Sequence, residues 1–292
     1  MVKADERARI VVGIDDAPES LTALQWAAKE ADASKRPMLL IHVYVPSSPT
    51  SKQQGRAYRT TTEERRHTEE RAWQLVEQAA QLAHKQSAEL SIETEAVEGD
   101  PYRILSDRAG NSSMLVVGSH GRGLLGRMLL GSVSTALTAR PSSPVVLVRT
   151  GTREPAPDAP IVVGLDGSPA SRAALLFAGR YATAQQIPVS VISCWRRSDE
   201  HGMGTPAEQE HRLGLWLAEE LKPFQREFPR VRLTSSLQET RPAESLVDSS
   251  SQARLTVVGT RGPERAPEGV SGSVAQALLH HSWSPVAMVP AP

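Results

Sequence analysis

Two glycine clusters carry the chemistry that this sequence offers. The first reads Gly118-Ser119-His120-Gly121, then nine residues, then Gly131-Ser132-Val133-Ser134. The second reads Gly259-Thr260-Arg261-Gly262, again nine residues, then Gly272-Ser273-Val274. Glycine permits φ > 0 and close approach of the backbone to a ligand, and a Gly-Ser step opening a helix presents amides that have no acceptor within the helix. That combination is a phosphate cradle. One helix-end interaction is worth only about 0.3 to 1 kcal/mol, so several amides and the Ser132 and Ser134 hydroxyls have to act together. Glycines that merely permit a tight turn are the alternative, and repetition of one spacing in both clusters weighs against it.

Competing chemistries fail on spacing. Gly121-Arg122-Gly123-Leu124-Leu125-Gly126 has the form of a dinucleotide fingerprint, but it follows a fourth strand and no acidic residue stands about twenty positions further on. Neither Gly131-Ser132 nor Gly272-Ser273 has the lysine of a P-loop, and no Gly-x-Ser-x-Gly elbow occurs in either copy. The eight histidines, His280-His281 among them, form no set with zinc spacing. A single cysteine, Cys194, excludes an internal disulfide and reads as a small strand side chain. The five tryptophans lie in apolar patterns and are expected in the core rather than on a base-stacking surface.

The clusters need a scaffold, and the chain provides it twice. Ile10-Val11-Val12-Gly13-Ile14-Asp15 returns as Ile161-Val162-Val163-Gly164-Leu165-Asp166, 151 positions on, and Pro18, Ser20 and Pro37 return as Pro169, Ser171 and Pro188. The later pairs, Gly118 with Gly259 and Gly131 with Gly272, are 141 apart, so the first copy carries ten extra residues, assigned to the polar stretch 46–60. A chain of 292 residues suits two domains: 1–150, a Pro- and Gly-bearing linker 151–160, and 161–292. In the first copy β-branched runs predict strands at 9–14, 38–45, 90–97, 114–118 and 145–149, with helices between them. Helix starts are signalled by Thr61 with Glu64, by Asp100 before Pro101, and by Thr205 before Pro206. The expectation is α/β: two tandem five-stranded parallel-sheet domains with helices on both faces, Rossmann-like, and ligands at the carboxyl ends of the strands.

With these motifs the chain resembles the universal stress protein family, whose ATP-binding members carry Gly, two residues, Gly, nine residues, Gly, then Ser or Thr. Both copies match, over nearly the whole chain. The resemblance implies the family's fold and ATP as ligand, alone or with Mg²⁺. By position it assigns Asp15 and Val43 to the nucleoside, Gly118 and Gly121 to ribose and phosphate, and Gly131, Ser132, Val133 and Ser134 to phosphates. In the second copy it offers Asp166, Cys194, Gly259, Gly262, Gly272 and Ser273, and the candidate set is completed by Gly13, Val117, His120, Gly164, Val258, Arg261 and Val274. It further implies homodimers joined through the last strand of each copy, Val145 to Val148 and Val286 to Val289, whose open edges would otherwise pair without control. The function so implied is nucleotide-dependent regulation of a stress or growth response through a protein partner. A non-catalytic interaction protein with degenerate sites and a slow ATPase are the alternatives.

The copies differ in ways that bear on binding. Asp15-Asp16-Ala17 stands where the second copy has Asp166-Gly167-Ser168, and Asp16 is either a metal ligand or a solvated turn residue, the turn being preferred. Between its glycines the first copy has Arg122 and Arg127, while the second sets Glu264 and Glu268 against Arg265 and loses two amide donors at Pro263 and Pro267, which makes it the poorer triphosphate site. Thirty-three basic and 33 acidic residues leave no net charge, against a nucleic-acid partner. The longest apolar run is too short to span a membrane and the N-terminus lacks an apolar signal core, so a cytoplasmic location with no membrane partner is expected. No base, nucleophile or metal cluster accompanies the cradles, so binding rather than catalysis is expected.

Overall fold

The computed structural model describes residues 9–45, 62–110, 112–119, 130–152, 154–196, 205–260 and 272–292. Each copy forms five strands in βα alternation. The first has β1 (Ile10–Gly13), α1 (Pro18–Ser34), β2 (Met38–Tyr44), α2 (Thr62–Gln86), β3 (Ile92–Glu98), α3 (Pro101–Ala109), β4 (Met114–Gly118), α4 (Ser132–Ala139) and β5 (Val145–Val148). The second has β6 (Ile161–Gly164), α5 (Pro169–Gln185), β7 (Val189–Trp195), α6 (Pro206–Glu227), β8 (Leu233–Glu239), α7 (Pro242–Ser249), β9 (Leu255–Gly259), α8 (Ser273–His281) and β10 (Val286–Val289).

Continuous apolar strands bury both their faces, because successive side chains alternate across a sheet. Ile10 and Val12 join the core under α1, α2, α5 and α6, while Val11 between them joins the core under α3, α4, α7 and α8. Helices α1 and α5 approach the sheet closely through alanines, among them Ala23, Ala27 and Ala31 in α1 and Ala174, Ala178 and Ala182 in α5. The recurring prolines and serines have local reasons. Pro18 and Pro169 start α1 and α5, and the Pro37 and Pro188 carbonyls accept the first strand amides, Ile10 and Ile161, at 2.9 Å each. Asp100 caps α3 by accepting from the Arg103 amide at 2.8 Å, and Thr205 with Glu208 completes a capping box on α6. The signal at Thr61 and the polar stretch 46–60 lie outside the described residues.

All pairings within a copy are parallel, and one sheet of ten strands runs β3-β2-β1-β4-β5-β10-β9-β6-β7-β8. The single antiparallel step is β5 against β10, with Met288 opposite Val145 and Val286 opposite Leu147. This corrects the expected joining of two chains through those strands: each strand is the other's partner within one chain, so neither edge is open. The physical reason is concentration. A short linker holds the second copy beside the first at millimolar effective concentration, and a separate chain does not compete. On the opposite face of the sheet α1 meets α5, where buried Glu30 accepts hydrogen bonds from the Tyr181 hydroxyl and, at 2.8 Å, from Gln185 Nε2. Burial raises the Glu30 carboxyl above its usual range, against the Tyr181 hydrogen bond and the charges of Arg254 and Lys29. The tryptophans divide: Trp26 and Trp216 pack against the core and Trp195 of β7 is half-buried, whereas Trp73 of α2 and Trp283, between α8 and β10, are exposed.

Candidate functional site

Right-handed βα units bring the carboxyl ends of all five strands of a copy to one edge, where a cleft opens at the point at which strand order reverses. Here that point lies between β1 and β4, and between β6 and β9. A cavity stands at each. The first, about 510 Å³, is walled by Gly13 at the end of β1 with Asp15 and Asp16 after it, by Val43 and Tyr44 of β2, by Val117 and Gly118 of β4, and by Gly131, Ser132, Val133 and Ser134 at the start of α4. The second, about 660 Å³, is walled by Gly164 and Asp166, by Cys194 of β7, by Val258 and Gly259 of β9, and by Gly272, Ser273 and Val274 at the start of α8. Both volumes fall in the range of small-molecule sites. The structure thus gathers every described candidate residue into two matching clefts. His120, Gly121, Arg261 and Gly262, with the charged residues between the glycines, lie outside the described residues.

The acidic end of each cleft is built the same way. Asp15 Oδ1 accepts the Ala17 amide at 3.1 Å and Asp166 Oδ1 accepts the Ser168 amide at 2.9 Å, closing a turn between strand and helix. The amides of Asp15 and Asp166 in turn donate to Ser20 Oγ and Ser171 Oγ, at 3.0 and 3.3 Å. That explains why those serines recur. Burial pushes the Asp166 carboxyl up, but hydrogen bonds from Ser168 and Ser171 outweigh it and hold the group below its usual range, so it is an ionised acceptor at neutral pH. Asp16 is an exposed residue of the same turn. Its counterpart Gly167 has φ +78, with the Trp216 ring 2.7 Å from where a Cβ would stand, so the second copy admits only glycine there. The Cys194 thiol is half-buried and lines the second cavity where Val43 lines the first; burial raises it against a hydrogen bond with Ser245.

The glycines divide by their physical reasons. A Cβ on Gly118 would meet the Glu19 backbone carbon at 2.8 Å, and one on Gly259 the Ala170 carbonyl carbon at 2.3 Å. These two let the first helix of each copy close onto the sheet, a packing requirement as well as a wall of the cleft. Gly131 and Gly272 cap α4 and α8 with φ −61 and −58. Left-handed backbone, expected for the cradle glycines, is therefore not what these positions need. A Cβ on Gly272 would meet nothing within 4 Å among the described residues, and these give no steric reason for glycine there. Neither cap supplies a side-chain hydrogen bond, so the first-turn amides of both helices have no partner from the cap or from within the helix. Ser134 departs from its expected role: its buried hydroxyl donates to the Gly118 carbonyl at 2.7 Å and fixes α4 to the end of β4.

Residues that sequence motifs did not single out complete the first cleft. Thr68, Arg71, Ala72 and Leu75 project from α2 at helical spacing, and Arg71 places a cation at the rim. The buried core positions Ala72, Val76 and Ala79 carry that periodicity in the sequence, which was the available signal. His42, also in the wall, has Nδ1 2.6 Å from the Ile14 carbonyl; a carbonyl only accepts, so Nδ1 carries the proton. Among the described residues no group of three or more His, Cys, Asp or Glu is arranged to hold a metal, and no helix is long and apolar enough to cross a membrane.

A doubled parallel sheet with a glycine-capped helix beside each strand-order reversal defines a tandem α/β protein of the doubly wound type. The universal stress protein family profile matches this chain twice, over residues 6–149 and 159–290. A universal stress protein of Mycolicibacterium smegmatis is 33% identical over 296 residues, covering 99% of both chains. One of Mycobacterium tuberculosis is 32% identical over 285 residues, 95% of this chain and 94% of that one. The crystal structure of a universal stress protein from Archaeoglobus fulgidus has the same fold, with a TM-score of 0.70 at 15% identity over 97% of this chain and 98% of that one. The chain belongs to the universal stress protein family, in tandem form.

Proposed function

We propose that each cleft binds ATP and that the protein is a cytoplasmic, nucleotide-dependent regulator of a stress or growth response rather than an enzyme. The observation that carries this reading is Gly272: a helix cap with ordinary backbone, no described atom within 4 Å of where a side chain would stand, and no side-chain cap, at the wall of a cavity of about 660 Å³. Glycine is a favoured cap, and with no described atom crowding that point, ligand approach is the further reason for it. The first-turn amides of α4 and α8 would take the phosphates, with Arg71 adding charge at the first site. Asp15 and Asp166, beside Val43 and Cys194, would accept from the nucleoside. Mg²⁺, where present, would arrive with the triphosphate, whose oxygens satisfy most of its coordination. Regulation would follow from nucleotide occupancy at the carboxyl ends of the strands, which changes the surface offered to a protein partner.

The test is calorimetric titration of nucleotide-stripped protein with ATP and Mg²⁺, on wild type, Gly131→Glu and Gly272→Glu. Each variant places an anion in one cradle. Binding in the wild type that falls by about one site in each variant supports the reading. No binding in the wild type would overturn it and leave an interaction protein with structural glycines.

A further inference from the structure

We propose that the second site is composite, completed from the first copy by α4, and that this helix couples the two sites. The inference rests on the nucleotide reading above. With eight residues α4 is about 12 Å long. Its first residues, Ser132, Val133 and Ser134, line the first cavity, and its last, Thr138 and Ala139, line the second. The ends are tied by hydrogen bonds: Ser134 Oγ donates to the Gly118 carbonyl at 2.7 Å, and Thr138 Oγ1 donates to the Ser134 carbonyl at 2.8 Å. A ladder thus runs from the end of β4, in the first cleft, to the wall of the second.

The arrangement is not symmetric. At the 141-residue offset the counterparts of Thr138 and Ala139 are Leu279 and His280, and neither is among the described residues that line the first cavity. Ser134 has Ala275 as its counterpart, with no hydroxyl to tie α8 to Gly259. The second cavity, which takes Thr138 and Ala139 of α4 into its wall, is also the larger of the two, about 660 against 510 Å³. An anion drawn to the N-terminus of α4 moves a short, stiff element whose other end is a wall of the second site. By linkage, a nucleotide in the second cavity acts back on the first by the same factor.

The experiment titrates ATP with Mg²⁺ into full-length wild type, Gly131→Glu and Gly272→Glu, each with and without Ala139→Leu. With the first site blocked by Gly131→Glu, Ala139→Leu weakens the remaining binding by about fivefold or more. With the second site blocked by Gly272→Glu, the same substitution has a far smaller effect, which also shows that the variant folds. The wild-type isotherm departs from the sum of the single-site variants, and Thr138→Val, which cuts the ladder, returns it to the sum of its own single-site values. Second-site affinity indifferent to Ala139→Leu, or a wild-type isotherm equal to the sum, overturns this inference while leaving the nucleotide reading intact. Absence of ATP binding in the wild type overturns both.

Discussion

Gly259→Ala and Gly272→Ala are the same chemical change in glycines that close one cavity, and they should have opposite consequences. In Gly259→Ala the new methyl stands 2.3 Å from the Ala170 carbonyl carbon, 2.6 Å from its oxygen and 2.6 Å from the Ser171 nitrogen. All three are backbone atoms at the start of α5, so no rotamer change relieves the clash. The helix start must withdraw from β9 by about 1 Å, which puts the cost at the upper end of overpacking, about 3 kcal/mol. At roughly 2 to 4 °C per kcal/mol for domains of 150 to 250 residues, the thermal midpoint falls by about 6 °C or more. In Gly272→Ala the backbone already has φ −58 and the methyl meets nothing within 4 Å among the described residues. Loss of a favoured cap residue and reduced freedom of the unfolded chain are each worth under about 1 kcal/mol and oppose one another, so stability stays within about 0.5 kcal/mol. The methyl nevertheless occupies the space a phosphate would need, and ATP binding at the second site falls about tenfold, or 1.4 kcal/mol. Thermal unfolding and calorimetry of both variants decide the matter. A midpoint loss in Gly272→Ala equal to that in Gly259→Ala, or unaltered ATP binding in Gly272→Ala, refutes the division of glycines by reason.

Three further substitutions probe the scaffold. Tyr181→Phe removes a donor from the buried Glu30 carboxylate at the α1–α5 contact and should cost about 1 to 3 kcal/mol by chemical denaturation. Because burial raises the Glu30 carboxyl in the folded state, its contribution to stability is fully present below the ordinary carboxylate range and is lost as pH rises through the folded value. Glu30→Gln should therefore gain on the wild type as pH rises out of the ordinary carboxylate range; a difference that stays constant with pH would contradict the sign. Gln186 ends α5 in left-handed backbone, φ 55, with an exposed side chain. Gln186→Gly relieves that conformation against the added freedom of the unfolded chain, for a net gain of about 0.5 kcal/mol in urea unfolding; a loss would mean the side chain makes a contact worth more than the strain.

Much of the site was legible because its signals are local. A strand that ends in Gly-x-Asp, a helix that opens at Gly-Ser, and a capping Asp100 or Thr205 are recognisable from a few neighbours, since the hydrogen bonds of the Asp turn and the caps span two to five residues. Less legible was the α2 wall of the first cleft, where Thr68 and Arg71 acquire a role only from the packing of a helix many residues away in sequence. The exposure of Trp73 and Trp283 was illegible for the same reason: an apolar pattern says that one face is buried but not which side chains sit at its margin.

The sequence by itself determined the duplication, the parallel order of strands within each copy and the two glycine clusters, because hydrophobic period, turn residues and repeat spacing act along the chain. Tertiary structure alone decided who pairs with whom and what each glycine is for. The valine-rich edges of β5 and β10 carry no mark of their partner, and it is tethering that makes them partners within one chain. Gly259 and Gly272 are identical letters in one motif. The first answers to the Ala170 backbone on the far side of the sheet edge, and the second to open space, a difference that exists only once α5 and α8 have been folded against the strands.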